Sequence, residues 1–336
     1  MATVIVAGSL NLDVTFRVNG FPNPGEDKPV RESWHAIGGK ALNQATAAHR
    51  AGAAVCLVGA VGDDGFGEEV IGFLREEGID TRFCEVFPGE RTGLALVLLE
   101  PDARNTILFE PGAVRRLRWP ASIAVRPGDC VLSHAEVPAD VLVSAYGAGR
   151  RAGAINIMSG MRFNQVDKLL PLIDLLIVNQ KEFETLVQQS VPAELLASED
   201  LTAMVSRAGF ASANVVVTLG EMGARYLKAG GGSAHIGAAK VDAVDTTAAG
   251  DVFTGALSAG LAHGRQLLEA IEFGVRAGSL AVTRRGAASS APQREEIVSF
   301  QGARTMSGEG SEDSENHGSA LLRGGLAVAH PGTHRG

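Results

Sequence analysis

The chain is poor in several things that would have assigned it a role. It has no uninterrupted apolar stretch of about 18 residues or more, the length a membrane helix needs. The nearest, Leu169 to Val178, is broken by Pro171 and Asp174. The start, Met1-Ala2-Thr3-Val4-Ile5-Val6-Ala7-Gly8, lacks the basic n-region and long h-region of a secretory signal. There are 3 cysteines, Cys56, Cys84 and Cys130, an odd number without CxxC spacing. That disfavours a disulfide framework or a zinc site and predicts reduced, buried thiols in a cytoplasmic protein. Basic residues number 30 against 38 acidic, a net charge of −8. This excludes a basic nucleic-acid surface as the main business of the chain. No GxxxxGK[ST] run occurs, so the chain is not a P-loop NTPase, and Gly8-Ser9-Leu10-Asn11 is not the GxGxxG of a dinucleotide-binding turn. Internal repeats are absent.

Glycine is abundant: 42 of 336 residues, against about 7% in average proteins. It has no three-residue period, so a collagen-like chain is excluded. Many glycines cluster between apolar runs, where backbone is expected to approach a ligand. The hydrophobic share of 45% suffices for a large core.

Short apolar runs alternate with helical patterns. Val4–Val6, Ala54–Val58, Cys130–Leu132, Ala154–Ile157, Leu175–Val178 and Val215–Val217 read as buried strands. Helices are predicted from Asn43 to Ala51, closed by Gly52, and from Phe66 to Glu77, closed by Gly78; a third opens at Pro138 and ends at Gly153. The alternation implies α/β, a three-layer αβα arrangement with a largely parallel central sheet. Two segments break the rhythm. Residues 14–36 alternate without helical period, and residues 91–110 read as strands Leu94–Leu99 and Thr106–Phe109 around the turn Pro101-Asp102-Ala103-Arg104. They are expected to form a small inserted β-sheet acting as a lid. Residues 1–302 are one domain on this reading, and residues 303–336, rich in Ser, Gly, Glu and His, are a disordered tail.

The strongest chemical signal is Asp245-Thr246-Thr247-Ala248-Ala249-Gly250-Asp251-Val252-Phe253-Thr254-Gly255-Ala256. Small residues lead into a helix reaching about His263. A helix N-terminus exposes unpaired amides and the positive end of its dipole, which suits an anion. Asp251 in its first turn is placed to accept a proton from an attacking hydroxyl, while Ala248, Ala249 and Gly250 supply amides for the transferring group. Read alone, Asp251 could equally be a helix-end charge. Near the N-terminus, Gly38-Gly39-Lys40-Ala41-Leu42-Asn43-Gln44-Ala45 and Val61-Gly62-Asp63-Asp64-Gly65-Phe66-Gly67 form a second dense cluster.

These two runs resemble the C-terminal and N-terminal signatures of the ribokinase-like (PfkB-type) carbohydrate kinases, over roughly Val4 to Phe300 and closest to the ribokinase branch. The resemblance implies an ATP-dependent kinase acting on a sugar primary hydroxyl, with D-ribose favoured. It implies sugar contacts at Asn11, Asp13, Gly38, Gly39 and Asn43, and at Glu136 in His134-Ala135-Glu136-Val137-Pro138. Asn11 and Asp13 carry the donors and acceptors a polyol needs, after the first strand, where ligands bind open α/β sheets. Asn179 and Glu182 keep the family's Asn-x-x-Glu spacing, with Glu182 serving Mg²⁺ through water. By their pattern alone they are an N-cap and a first-turn carboxylate. Thr218, Gly220 and Gly223, with Gly250, resemble the loops around the ATP phosphates. A monovalent cation, usually K⁺, is implied beside the anion site, held by Asp245, Thr247, Ala281, Arg284, Gly286 and Ser290. A homodimer paired through the lid is implied too, since inserted edge strands need cover.

Departures from the family lie on the sugar side: Ala41 in place of glycine, Asn156-Ile157 without an Asn-Pro pair, and Glu110-Pro111-Gly112-Ala113-Val114 in place of His-Ala-Gly-Ala-Asn. Fructose, 2-keto-3-deoxygluconate or a nucleoside are the competing acceptors. A sugar- or nucleotide-binding regulatory protein without turnover is the competing class, and the intact Asp251 argues against it.

Overall fold

A computed structural model describes residues 2–101, 104–160, 166–301 and 304–306. In chain order the elements are β1 (Thr3–Ser9), β2 (Asn11–Arg17), β3 (Glu32–Gly38), α1 (Lys40–Arg50), β4 (Ala54–Gly62), α2 (Gly65–Glu76), β5 (Asp80–Phe87), β6 (Gly93–Leu99), β7 (Asn105–Glu110), β8 (Cys130–His134) and α3 (Ala139–Ala152). There follow β9 (Ile155–Ser159), α4 (Val166–Leu169), β10 (Leu175–Asn179), α5 (Gln180–Val187), α6 (Ala193–Ser198), α7 (Thr202–Arg207), β11 (Asn214–Thr218), β12 (Ala224–Leu227), β13 (Ser233–Gly237), α8 (Ala249–Ala262), α9 (Leu267–Ala281), α10 (Arg294–Ser299) and β14 (Arg304–Met306).

The main sheet runs β14-β13-β12-β11-β10-β9-β8-β1-β4-β5. From β11 to β5 all neighbours are parallel, and β12, β13 and β14 are added antiparallel. Strand alternation divides the core in two. Val4, Val6, Leu57, Leu132 and Ile177 pack with α1, α2, α8 and α9. Their neighbours Ile5, Ala7, Val58, Val131, Leu176 and Val178 pack on the other face with α3, α5, α6 and α7. A strand buried on both faces must be apolar at successive positions, which is why these strands read as continuous runs. The predicted three-layer fold is the one observed.

The order reverses at β1, whose neighbours β8 and β4 lead to opposite edges. Open α/β sheets bind ligands beyond the strand C-terminal ends at such a switch point. Here the chain crosses from main sheet to lid through a single residue, Leu10. Asn11 and Asp13 therefore lie on a lid strand rather than in a turn, and the lid starts at Asn11 rather than 14. The lid is a four-stranded sheet, β3-β2-β6-β7, with β2 and β6 parallel at its centre and a hairpin partner outside each. Two of the four residues of the turn predicted between β6 and β7 lie outside the described residues.

Asp64 ties this sheet to its base. It caps α2 by accepting Gly67 N–H at 2.9 Å and accepts Thr92 N–H at 2.9 Å, beside the first residue of β6. The Thr92 hydroxyl donates to Asp64 at 2.6 Å and accepts Gly62 N–H at 3.0 Å.

The sequence boundary at 302 needs correction. Arg304–Met306 pairs antiparallel with β13, at Ile236↔Thr305 among others. The tail beyond, 307–336, lies outside the described residues. The three thiols are free as expected, but only Cys130 is fully buried, Cys56 and Cys84 being half-buried; burial pushes Cys56 up to about 11 and Cys84 and Cys130 up to about 12.

Candidate active site

Two buried helices, α1 and α8, meet beneath the switch point. Residues Val252–Ala262 of α8 are all buried, and small side chains let the two helices touch. A Cβ on Gly255 would stand 2.3 Å from the Gln44 carbonyl and 2.8 Å from Ala47 Cβ. That contact brings the N-terminal half of α1 against the first turn of α8. Asn43 Nδ2 donates to Asp251 Oδ2 at 3.1 Å, and Gln44 Nε2 donates to Asp251 Oδ1 at 2.9 Å. Residues 207 and more apart in sequence thus hold one carboxylate from both sides. Asn43 Oδ1 and Gln44 Oε1 are buried without a protein partner, as is Asn11 Oδ1. Buried acceptors of this kind call for a ligand or water.

Ala248 precedes α8 at φ 58°, a left-handed conformation a non-glycine residue adopts only where its surroundings enforce it. No side chain caps the helix. Its first-turn N–H groups lack intrahelical acceptors by geometry. At Gly250 an added Cβ would meet nothing within 4 Å. Protein packing does not demand glycine there, and the space above the amides is free.

Four carboxylates converge on Lys40. Its ammonium is held above its ordinary pKa chiefly by Asp251, against burial, with further support from Glu136, Glu182 and Asp13. Asp13 is pushed up to about 6, first by burial and then by Asp251 and Glu136, while Lys40 opposes the shift. Asp13 is therefore a charged acceptor above about pH 6 and takes up a proton below it. Gly38 leaves room for that carboxylate, whose Oδ2 would lie 2.1 Å from a Cβ at 38. At Gly39, φ is +97° and a Cβ would meet the Ser9 carbonyl at 2.6 Å. Ala41, where the family has glycine, is fully buried and lies over Gly8.

On the far side of the switch point, Asn179 and Glu182 form a reciprocal capping box, each side chain accepting the other's backbone N–H at 2.9 Å. The plain helix-capping reading is thus realised, and it sets the Glu182 side chain toward the carboxylate group around Lys40. Thr218 ends β11, its hydroxyl 3.5 Å from the Val178 carbonyl. Gly220 has φ +58° with open space at its Cβ position, as a phosphate approach requires. Gly223 is different: its Cβ would lie 2.0 Å from the Ile236 carbonyl, so packing against β13 already demands glycine.

The cation residues come together as a loop pair. Asp245 accepts N–H bonds from Thr247 at 2.9 Å and Gly286 at 3.0 Å, which hold its carboxyl below the usual range although burial pushes it up. Val244 and Asp245 N–H donate to the Val282 carbonyl. Ser290 Oγ donates to Ala287 O, and the Ala281 carbonyl accepts Arg284 N–H. Arg50 clamps this loop, donating to Ser289 O at 2.9 Å and Ala291 O at 2.8 Å while pairing with Glu77 at both carboxylate oxygens. One carboxylate, one hydroxyl and backbone carbonyls are hard oxygen donors, a set that fits an alkali cation. Among the described residues no group of three or more His, Cys, Asp or Glu is placed to hold a metal.

The sequence reading named Asn11, Asp13, Gly38, Gly39, Asn43, Glu136, Glu182 and Asp251; of these Asp13, Glu136, Glu182 and Asp251 gather around Lys40, and Asn43 bonds Asp251. It left without roles Lys40, Gln44, Ser9 and His134. All four lie inside quoted runs, Lys40 and Gln44 in the N-terminal cluster, Ser9 after the predicted first strand and His134 two residues before Glu136.

The pfkB family carbohydrate kinase pattern matches residues 1–294. A ribokinase of Schizosaccharomyces pombe is 31% identical over 308 residues, covering 88% of this chain and 97% of that protein. The solved ribokinase of Cryptococcus neoformans var. grubii in complex with ADP superposes with a TM-score of 0.78 at 27% identity, covering 89% and 99% of the two chains. The Arabidopsis thaliana ribokinase complexed with ribose and ATP gives a TM-score of 0.77 at 26% identity, covering 89% and 98%.

Proposed function

The chain belongs to the pfkB family of carbohydrate kinases, and from that premise we propose that it is an ATP-dependent kinase for D-ribose, yielding ribose 5-phosphate. The observation that carries this reading is the Asp251 carboxylate, gripped by Asn43 and Gln44 at the open N-terminus of α8.

When bound, ATP with Mg²⁺ supplies the γ-phosphoryl group and neutralises part of its charge. Asn11, Asp13, Asn43 and Glu136, with backbone at Gly38 and Gly39, orient the sugar so that its primary hydroxyl faces Asp251. Asp251 accepts the hydroxyl proton as the oxygen attacks. The first-turn amides at 248–251 and the dipole of α8 offset the charge on the phosphoryl oxygens in transit. Asn179, Thr218, Gly220 and Gly223 cradle the nucleotide, and Glu182 would hold Mg²⁺ through water. Asp245, Ser290 and the carbonyls of Thr247, Ala281, Arg284 and Gly286 would hold K⁺. Positioning and electrostatics are the main sources of rate in such transfers. The lid excludes water, which limits loss of ATP to hydrolysis.

A sugar panel with ATP, run with and without K⁺, tests the substrate. Ribose gives ADP, and K⁺ raises the rate. A ketose or nucleoside turning over while ribose does not would move the assignment to another acceptor. Repeated across pH 5–8, the ribose KM rises as pH falls through about 6, because Asp13 gains a proton and its charge-assisted hydrogen bonds to the hydroxyls weaken. A flat KM over that range would remove Asp13 from the sugar site.

The lid also supports a homodimer. Ile107, Leu108 and Phe109 of edge strand β7 are all exposed, as is Trp34 of β3 at the other edge. An apolar open edge needs a cover, and a second lid supplies one. Light scattering reports a dimer at micromolar concentration; a monomer there would rule the pairing out.

A further inference from the structure

His134 is completely buried at the C-terminal end of β8 and has no part in the mechanism above. A Cβ at Gly8 would come within 2.1 Å of its Nε2, so glycine at that point of β1 makes the room for the ring. Ser9, the next residue and the last of β1, donates its backbone N–H to His134 Nε2 at 3.0 Å. An N–H cannot accept, so Nε2 carries the lone pair and the neutral ring keeps its proton on Nδ1. Nδ1 lies 3.8 Å from Glu136 Oε2. It also lies 3.4 Å from Glu136 N–H. Nδ1–H and Glu136 N–H are both donors in this tautomer, so the shorter Ser9 contact decides the assignment. The Ser9 hydroxyl donates to the same Glu136 Oε2 at 3.2 Å.

We infer that Ser9 and His134 are positioning residues that pin the Glu136 carboxylate for recognition of a sugar hydroxyl. The Ser9 hydroxyl holds Oε2 directly, and His134 acts through Ser9 by accepting its backbone N–H, leaving Oε1 for the ligand. The device spans β1 and β8, the strand pair at the switch point, so it is anchored in a fully buried part of the sheet. Glu136 itself sits in a loop ahead of α3, with 22% of its side chain exposed. Without the Ser9 donor it is free to sample several rotamers, and ligand binding has to order it. The inference rests on the proposed reading of Glu136 as a sugar contact.

The test compares Glu136→Gln, Ser9→Ala, His134→Leu and His134→Gln, each assayed for sugar KM, ATP KM and kcat. Glu136→Gln raises the sugar KM by about tenfold or more, the usual loss for a hydrogen bond to a charged group. Ser9→Ala and His134→Leu each raise it several-fold, with ATP KM and kcat within about twofold. His134→Gln restores most of the loss, since its amide oxygen offers the acceptor for Ser9 N–H. In a Glu136→Gln background the Ser9→Ala effect disappears, as coupled neighbours require. If Glu136→Gln leaves the sugar KM unchanged, the reading of Glu136 is wrong. If it acts while Ser9→Ala does not, or if Ser9→Ala acts equally in both backgrounds, the positioning role is wrong. Should His134→Leu fail to fold, Ser9→Ala and its double variant decide alone.

Discussion

Asp251→Asn lowers kcat by roughly 10³-fold, within the 10²- to 10⁴-fold range of a positioned general base, and leaves the fold intact. The substitution preserves shape but removes the group that takes the proton. It also disturbs the grip on the side chain. Two amide donors, Asn43 Nδ2 and Gln44 Nε2, point at the two oxygens of Asp251. An asparagine offers one oxygen and one NH₂, so one donor faces a donor. Gln44, fully buried, or Asn43 has to turn to relieve this. The sugar KM changes less than kcat, because Asp13, Asn11 and Glu136 remain. Steady-state kinetics, with a thermal melt to establish folding, checks the result. Turnover within threefold of the parent would overturn the assignment of the base.

The second large effect is on assembly of the site. A glycine-to-alanine change inside a helix ordinarily stabilises by about 0.5–1 kcal/mol, because glycine has more backbone freedom to lose. Gly255→Ala reverses that sign. Its Cβ would lie 2.3 Å from the Gln44 carbonyl and 3.0 Å from Ala48 N, both backbone atoms of α1 that no rotamer change can move. The helices must separate, at a cost of about 1–3 kcal/mol for overpacking, which outweighs the helix gain. Because α1 carries Asn43 and Gln44 and α8 carries Asp251, the same wedge loosens the hold on the base. The expected result is a lower melting temperature together with a fall in kcat. Gly72→Ala in α2 is the control, since nothing lies within 4 Å of its Cβ position. It raises stability slightly and leaves kcat alone. Equal stabilisation by both substitutions would refute the close-crossing argument.

Gly255 shows where the sequence reading of glycine fell short. The sequence pattern predicts that many glycines mark places where backbone approaches a ligand, and Gly39 and Gly220, both at positive φ, and Gly250, in the first turn of α8 with open space at its Cβ position, fit that role. Gly255, Gly260 and Gly274 instead admit helix against helix, with Gly260 against Ala270 and Gly274 against the Phe253 carbonyl. Gly223 admits the β13 backbone. A glycine in a helical pattern carries no mark of which neighbour it will meet, because the neighbour comes from a distant segment.

Lys40 was overlooked for a related reason. Its place between Gly39 and Ala41 was plain, yet its importance comes from four carboxylates supplied by β2, the loop ahead of α3, α5 and α8. His134 was legible only as the residue before Ala135-Glu136. Its burial, its tautomer and its link to Ser9 arise because β1 and β8 pair in parallel, 125 residues apart.

The sequence by itself determined the layer order and the type of the strands and helices it marked, and it singled out candidate residues for chemistry. Those follow from local facts: apolar period, helix punctuation, and small residues leading into a helix start at Asp251. Tertiary structure decided what meets what. It made Asn11 and Asp13 part of a lid strand, drew Arg304–Met306 into the main sheet, and set two amides on one carboxylate. Pairing between distant strands and helices depends on the whole set of buried surfaces at once, and no short window of sequence contains that sum.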